Sequence, residues 1–371
     1  MKNKPTRDCG EAEMVQGTKS DLDIRLDRKP PVRLVVEDLR VAYQTERGPF
    51  RAVDGISFEV APGSVLGLVG ESGCGKSTVV KALLRLLPET AKTSGRVLLD
   101  DADILTMDAK ALRSARWNKI ALVTQSAMNA LDPVIRIGDQ IVESIRAHEP
   151  VDRAAAMQRA ADLFALVGLP PERLVEFPHQ FSGGMRQRAV IAMALSLNAG
   201  LLLADEPTTA LDPIMQDQIM SRIRHIQQSL SRSMILVTHD VGLVAENCDT
   251  VAVMYAGKVI ERGPTLEVLN SPRHPYTMGL RNAFPRILEE GEARPPLISI
   301  SGGLPDLFRP IPGCRFAPRC PFATSRCTSE EPPLSLTEGA HFSACHYQDR
   351  AEEFREAALK PGTWRKQELA S

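Results

Sequence analysis

No apolar stretch in this chain is long enough to cross a bilayer. The longest, from Ala189 to Ala204, is interrupted by Ser196, Asn198 and Gly200 and falls short of the ~20 residues a spanning helix needs. It reads instead as a buried helix followed by a buried strand. The N-terminal residues, with Lys2, Lys4, Asp8 and Glu11, lack the apolar core of a secretory signal, which leads to an expected cytoplasmic location. Charge of one sign is lacking too: 45 Lys plus Arg face 46 Asp plus Glu, so the summed charge gives no electrostatic reason to expect nucleic acid as the main partner. Cysteine is scarce, with seven in 371 residues. Four of them, Cys314, Cys320, Cys327 and Cys345, nevertheless crowd the last sixth, and in a reducing compartment such clustering favours metal over disulfides. No internal repeat is apparent.

What is present is an alternation. Residues 1–31 are polar and end in Pro30-Pro31, which reads as a loose tail. From Val32 to about Asn270, short apolar runs alternate with helix-like segments, the pattern of an α/β domain with a mostly parallel central sheet. Four runs stand out: Val65 to Val69, Ile120 to Thr124, Leu201 to Ala204 and Met234 to Thr238. Polar residues follow each at once: Gly70-Glu71-Ser72, Gln125, Asp205-Glu206 and His239. Ligands of open α/β sheets bind beyond the carboxyl ends of the strands, so these four sets are expected to converge on one site. Residues 126–181 read as a helical subdomain inserted on the sheet, with Asp152 as an N-cap and Gly168 as a stop. Residues 271–348 are proline-rich and hold the cysteines, which suggests a separate small module needing a staple. A charged tail is expected over 349–371.

Gly70-Glu71-Ser72-Gly73-Cys74-Gly75-Lys76-Ser77 fits G-x-x-x-x-G-K-[ST], follows an apolar strand and opens a helix-like run through Leu87 that Pro88 ends. Its glycines let backbone N–H groups curl around phosphate oxygens, and the helix N-terminus adds positive potential. Lys76 neutralises the terminal phosphates and the Ser77 hydroxyl ligates Mg²⁺. Thr78 completes this expected ATP cradle. Cys74 belongs to it, although its thiol, like those of Cys9 and Cys248, is given no role. Asp205 is suited to hold Mg²⁺ through water, and Glu206 to orient and deprotonate the attacking water.

Phe181-Ser182-Gly183-Gly184-Met185-Arg186-Gln187 resembles the signature motif of ABC ATPases, and its order relative to the other motifs fits. Ser182, Gly183 and Gly184 precede a helix-like run whose N–H groups suit a γ-phosphate; in the family that phosphate belongs to ATP on the opposite subunit. The resemblance implies further roles. Gln125 is similar to the residue that senses Mg²⁺ and touches the permease, Ala210-Leu211-Asp212 to the dimer-contact loop, and His239 to the switch histidine. Tyr43 lies where the family places a ring that stacks on adenine; a half-buried strand tyrosine is the competing reading. Hydrolysis then needs two ATPase subunits arranged head to tail, as a heterodimer or a homodimer.

Ser182 to Arg188, Ile191 to Leu195, His274-Pro275-Tyr276-Thr277 and Gly313 to Pro321 look like the oligopeptide and dipeptide importer subgroup, and more like its first-named (D-type) ATPase subunit than its second. The likeness spans about residues 32–346; Phe181 stands in place of the usual leucine, a change of little expected consequence. It implies two transmembrane permease subunits, a second ATPase, an extracytoplasmic solute-binding protein acting indirectly, and a position on the cytoplasmic face of the inner membrane. The spacing of the four cysteines matches neither paired C-x-x-C zinc ribbons nor ferredoxins. Members of the subgroup carry a four-iron cluster at this module, so a [4Fe–4S] cluster is expected there, with Zn²⁺ or unligated thiols as alternatives. His341 and His346 flank Cys345, and each reads as a solvated or hydrogen-bonded imidazole or as a replacement ligand. Two other functions compete: a soluble non-transport ABC ATPase, and a redox-sensing module that regulates a partner.

Overall fold

The computed structural model describes residues 30–124, 130–208, 211–283 and 300–364; the expected N-terminal tail, up to residue 29, lies outside them. The strands in chain order are β1 Leu34–Thr45, β2 Gly48–Val60, β3 Val65–Val69, β4 Ala91–Leu99, β5 Ala102–Asp103, β6 Ile120–Val123, β7 Leu201–Asp205, β8 Ser233–Thr238, β9 Thr250–Tyr255, β10 Lys258–Pro264, β11 Ser335–Glu338 and β12 His341–Ser343. Two sheets result, one of four strands in the order β2-β1-β4-β5 and one of eight in the order β11-β12-β10-β9-β3-β8-β7-β6.

The four apolar runs become β3, β6, β7 and β8, which lie side by side as β3-β8-β7-β6 and pair in parallel. They are buried along nearly their whole length, as strands covered on both faces must be. The large sheet is mixed rather than mostly parallel: β9-β10, β10-β12 and β11-β12 are antiparallel. The cause is local. Ala256 (φ 48°) and Gly257 (φ 81°) make a two-residue hairpin loop with both residues left-handed, the geometry that joins antiparallel neighbours.

The Ala189–Ala204 stretch folds as a helix followed by a strand, with the helix Gly183–Leu195 leading through Asn198 (φ 53°) to β7. Asp152 caps the helix Arg153–Leu166 by accepting from the Ala155 N–H at 2.7 Å, and Gly168 follows it at φ 71°. The helix after the phosphate loop is shorter than expected, Lys76–Leu83. Arg85 turns left-handed (φ 50°), and the Leu84 carbonyl accepts from Arg116 Nη2 at 2.7 Å, which satisfies the helix end well before Pro88.

Two expectations about the C-terminal region are corrected. Residues 300–348 do not fold apart: β11 and β12 extend the main sheet, and Phe316, Ala344 and Leu307 share one hydrophobic core with β3, β7 and β8. Glu261 on β10 is fully buried and accepts from the Arg273 N–H at 2.5 Å and the His274 N–H at 3.0 Å, with His341 Nε2 at 2.7 Å. One carboxyl group thus ties β10, β12 and the start of the helix Pro275–Asn282, and a buried polar group is tolerated because it is fully bonded. Residues 351–364, read as part of a charged tail, are packed. The helix Ala351–Ala358 buries Ala351, Phe354 and Ala358, Phe354 stacks on Phe322 at 4.1 Å, and Trp364 Nε1 donates to Ala358 O at 2.9 Å. The apolar face at 351, 354 and 358 has helical spacing but is hidden in the sequence by its charged neighbours.

Candidate functional site

The phosphate-loop sequence connects β3 to the helix Lys76–Leu83, so its residues stand at the carboxyl end of a central strand. Two of its glycines are required by close approach. A Cβ on Gly70 (φ 153°) would strike the Met254 carbonyl, and one on Gly75 (φ 110°) the Ala52 carbonyl, so only glycine lets the loop wrap down onto β9 and β2. Within the loop Lys76 is 6% exposed; its ammonium donates to Gly70 O at 2.6 Å and Glu71 O at 3.1 Å. The Cys74 thiol is buried and its pKa is raised by that burial, which keeps it neutral and unreactive.

Asp205 ends β7, is 7% exposed, and accepts from the Ser77 hydroxyl at 3.3 Å. Burial pushes its carboxyl pKa up, the neighbouring Glu206 adds to the rise, and the Ser77 hydrogen bond and the Lys76 and Lys81 charges oppose it. A divalent cation in front of this pair would reverse that rise, because opposite charge favours the carboxylate. Glu206 is left-handed (φ 47°), unusual for a residue with a side chain; its N–H donates to Val237 O at 2.9 Å, and its carboxyl oxygen lies 3.3 Å from His239 Nδ1. His239, beyond the end of β8, is exposed. Thus the ends of β3, β7 and β8 bring Lys76, Ser77, Asp205, Glu206 and His239 together. Gln125 and Ala210 fall outside the described residues. Tyr43 on β1 is half-buried, with its hydroxyl 3.3 Å from Thr78 Oγ1, beside the loop.

Ser182, Gly183 and Gly184 sit elsewhere. Ser182 caps the helix Gly183–Leu195, accepting from the Met185 N–H at 3.3 Å, and a Cβ on Gly183 would meet nothing within 4 Å. Among the described residues no hydrogen bond joins these three to the phosphate loop, and their turn faces outward with the N–H groups of a helix start, which have no partner inside the helix. Gln187, the last residue of the quoted motif but given no role of its own there, links this helix to the strand ends: its Nε2 donates to Pro207 O at 2.7 Å and Thr124 O at 3.3 Å.

The four clustered cysteines line a single small, largely apolar cavity with Pro275, Phe322 and Phe354. Burial raises the pKa of the Cys314 and Cys320 thiols and pushes that of Cys345 up to about 12. Among the described residues, however, no three His, Cys, Asp or Glu side chains are grouped to hold a metal ion, so the geometry does not support the expected [4Fe–4S] cluster or its zinc alternative. The flanking histidines have other partners: His341 bonds Glu261, and His346 Nε2 lies 2.9 Å from Glu330 O.

Residues 53–209 match the family model described as ABC transporter, and residues 260–327 the one described as the oligopeptide/dipeptide transporter C-terminal region. The chain is 43% identical over 324 residues to the dipeptide transport ATP-binding protein DppD of Bacillus subtilis (strain 168), an alignment covering 86% of this chain and 96% of that protein. It is 41% identical over 313 residues to the oligopeptide transport ATP-binding protein OppD of the same organism, covering 83% and 87%. Among solved structures, cbiO1 from Clostridium perfringens, part of the ABC transporter complex cbiONQ, is similar with a TM-score of 0.55 and 28% identity, over 67% of this chain and 94% of that one. The dimeric post-hydrolysis ATP-binding cassette MJ0796 bound to ADP and Pi shares the fold, with a TM-score of 0.58, 23% identity and coverage of 62% and 98%.

Proposed function

The chain belongs to the ABC transporter ATP-binding family, and from that premise we propose that it hydrolyses ATP to drive import of dipeptides or oligopeptides. The observation that carries the proposal is the cluster at the ends of β3, β7 and β8, where Ser77 Oγ and Asp205 are 3.3 Å apart with Glu206 and His239 alongside. ATP binds with its phosphates in the loop from Gly70 to Thr78, with Lys76 turning from the loop carbonyls to the phosphates. Mg²⁺ bound with the nucleotide supplies charge neutralisation, and Ser77, Asp205 and Gln125 are the residues that would hold it. Glu206 takes the proton of the attacking water, and His239, in contact with the Glu206 carboxyl, fixes its orientation. The outward turn at Ser182, Gly183 and Gly184 closes on the ATP of a second ATPase subunit in a head-to-tail dimer, and the reopening that follows hydrolysis passes through the Gln125 region to two permease subunits.

No described helix is long and apolar enough to cross a membrane. The proposed subunit sits peripherally at the cytoplasmic face and reaches its cargo through permeases and an external binding protein. Assembled in vesicles with those partners, the chain should couple Mg-ATP consumption to accumulation of labelled peptide. ATP consumption without peptide uptake, across di- to pentapeptides, would overturn the cargo assignment. Replacing Tyr43 with Ala should raise the apparent ATP constant several-fold, as expected for losing a stacking ring worth about 1 kcal/mol; an unchanged constant removes Tyr43 from the site.

For the cysteine cavity we propose a [4Fe–4S] cluster, with Zn²⁺ as the alternative. What supports it is that the four thiols line one cavity and that four thiolates meet the ligand count of such a cluster. Anaerobically purified protein should be brown, with about four irons and four sulfides per chain; a colourless protein free of iron and sulfide ends the assignment.

A further inference from the structure

The cysteine-bearing segment and the phosphate loop touch, and the contact is charged. Arg319, adjacent to Cys320, has a side chain only 6% exposed and grips Glu71 with both terminal nitrogens, Nη1 to Oε2 at 2.8 Å and Nη2 to Oε1 at 3.0 Å. The same guanidinium is anchored by Ser301 O at 3.0 Å, Ile300 O at 3.2 Å and the Tyr255 hydroxyl at 3.3 Å. Glu71 is held from a second side, because its N–H donates to the Tyr276 hydroxyl at 2.9 Å. Its own carbonyl accepts from Lys76 Nζ at 3.1 Å. One residue of the loop therefore links Arg319 to the lysine that faces the phosphates. Arg315, buried on the same segment, pins the floor below by bonding Asp54 and the Ala256 carbonyl.

A carboxylate inside a loop built to receive a triphosphate is electrostatically unfavourable unless its charge is matched nearby. A bidentate arginine both matches that charge and fixes the planar carboxylate in one orientation. From this geometry we infer that Arg319 is a positioning residue for nucleotide binding, acting through Glu71 by cancelling its charge and fixing the loop. The inference rests on the Gly70 to Thr78 loop being the ATP cradle.

The test is a double-mutant cycle on the full chain, read as the dissociation constant of fluorescent ATP with Mg²⁺ together with the thermal midpoint of each variant. Arg319→Gln leaves Glu71 charged and unheld and should weaken ATP binding about tenfold, within the range of coupling between contacting residues. Glu71→Gln removes the offending charge and should cost less. Glu71→Gln combined with Arg319→Gln should bind more tightly than Arg319→Gln alone, a reversal that a merely structural contact would not produce. If Arg319→Gln lowers the thermal midpoint but leaves the affinity of the folded protein unchanged, or if the double variant binds no better than Arg319→Gln, the inference is overturned. Failure of the wild-type chain to bind ATP would instead sink the assignment of the cradle itself.

Discussion

Glu206→Gln should lower ATP turnover by about 10²–10⁴-fold, the usual contribution of a positioned general base, while leaving ATP binding intact. The amide keeps the size of the carboxyl group and its place 3.3 Å from His239, so the local packing has no reason to change, but it cannot accept the proton of water. Lys76, Ser77 and Asp205, which meet the phosphates and Mg²⁺ in the proposed site, are untouched. Two signals should therefore separate: phosphate release from the assembled transporter collapses, and Mg-ATP now holds the chain and its companion ATPase in a stable pair that elutes as a dimer. Turnover close to wild type would move the base role to another group, and loss of nucleotide binding together with turnover would mean that the substitution had damaged the cradle rather than the chemistry. The left-handed backbone at Glu206 gives that second outcome a structural route, which is why binding must be measured beside turnover.

The parts of this site written in contiguous residues are legible in the sequence. The phosphate loop, the acid pair after β7 and the histidine after β8 each follow an uninterrupted apolar run, and a buried parallel strand announces both itself and its carboxyl end. Convergence of three of these sets then follows from adjacency of β3, β8 and β7; Gln125 lies outside the described residues. What could not be read were pairings between distant segments. Nothing near Glu71 signals that Arg319, 248 residues on, holds it, nor does anything near Glu261 signal His341, a contact that exists only once β10 has paired with β12. The same blindness made the C-terminal region look separate and its last helix look like tail: proline-rich and charged stretches hide apolar positions that are few but all directed at one core.

Glu261→Ala should destabilise the protein by roughly 3–5 kcal/mol, the cost of breaking a buried charged or strongly polar network by deleting one member. Removing the carboxyl leaves the N–H groups of Arg273 and His274 without their acceptor and His341 without its partner, all in a place water does not reach, since Glu261 is fully buried and His341 nearly so. The damage is multiplied by topology: β12 is the only strand through which β11 joins the large sheet among the described residues. Glu261→Gln keeps one acceptor oxygen and should lose less. His274 is neutral in either variant, because burial takes its pKa down to about 3, so the loss in Glu261→Ala should persist across pH 6 to 8 as far as that residue is concerned. Thermal or urea unfolding gives the magnitude, and hydrogen exchange gives the place: amides of β12 and of the helix Pro275–Asn282 should lose protection first, ahead of β3 and β8. A variant within about 0.5 kcal/mol of wild type, the range of an ordinary surface change, would show that the carboxyl is dispensable and that apolar packing alone docks the C-terminal region.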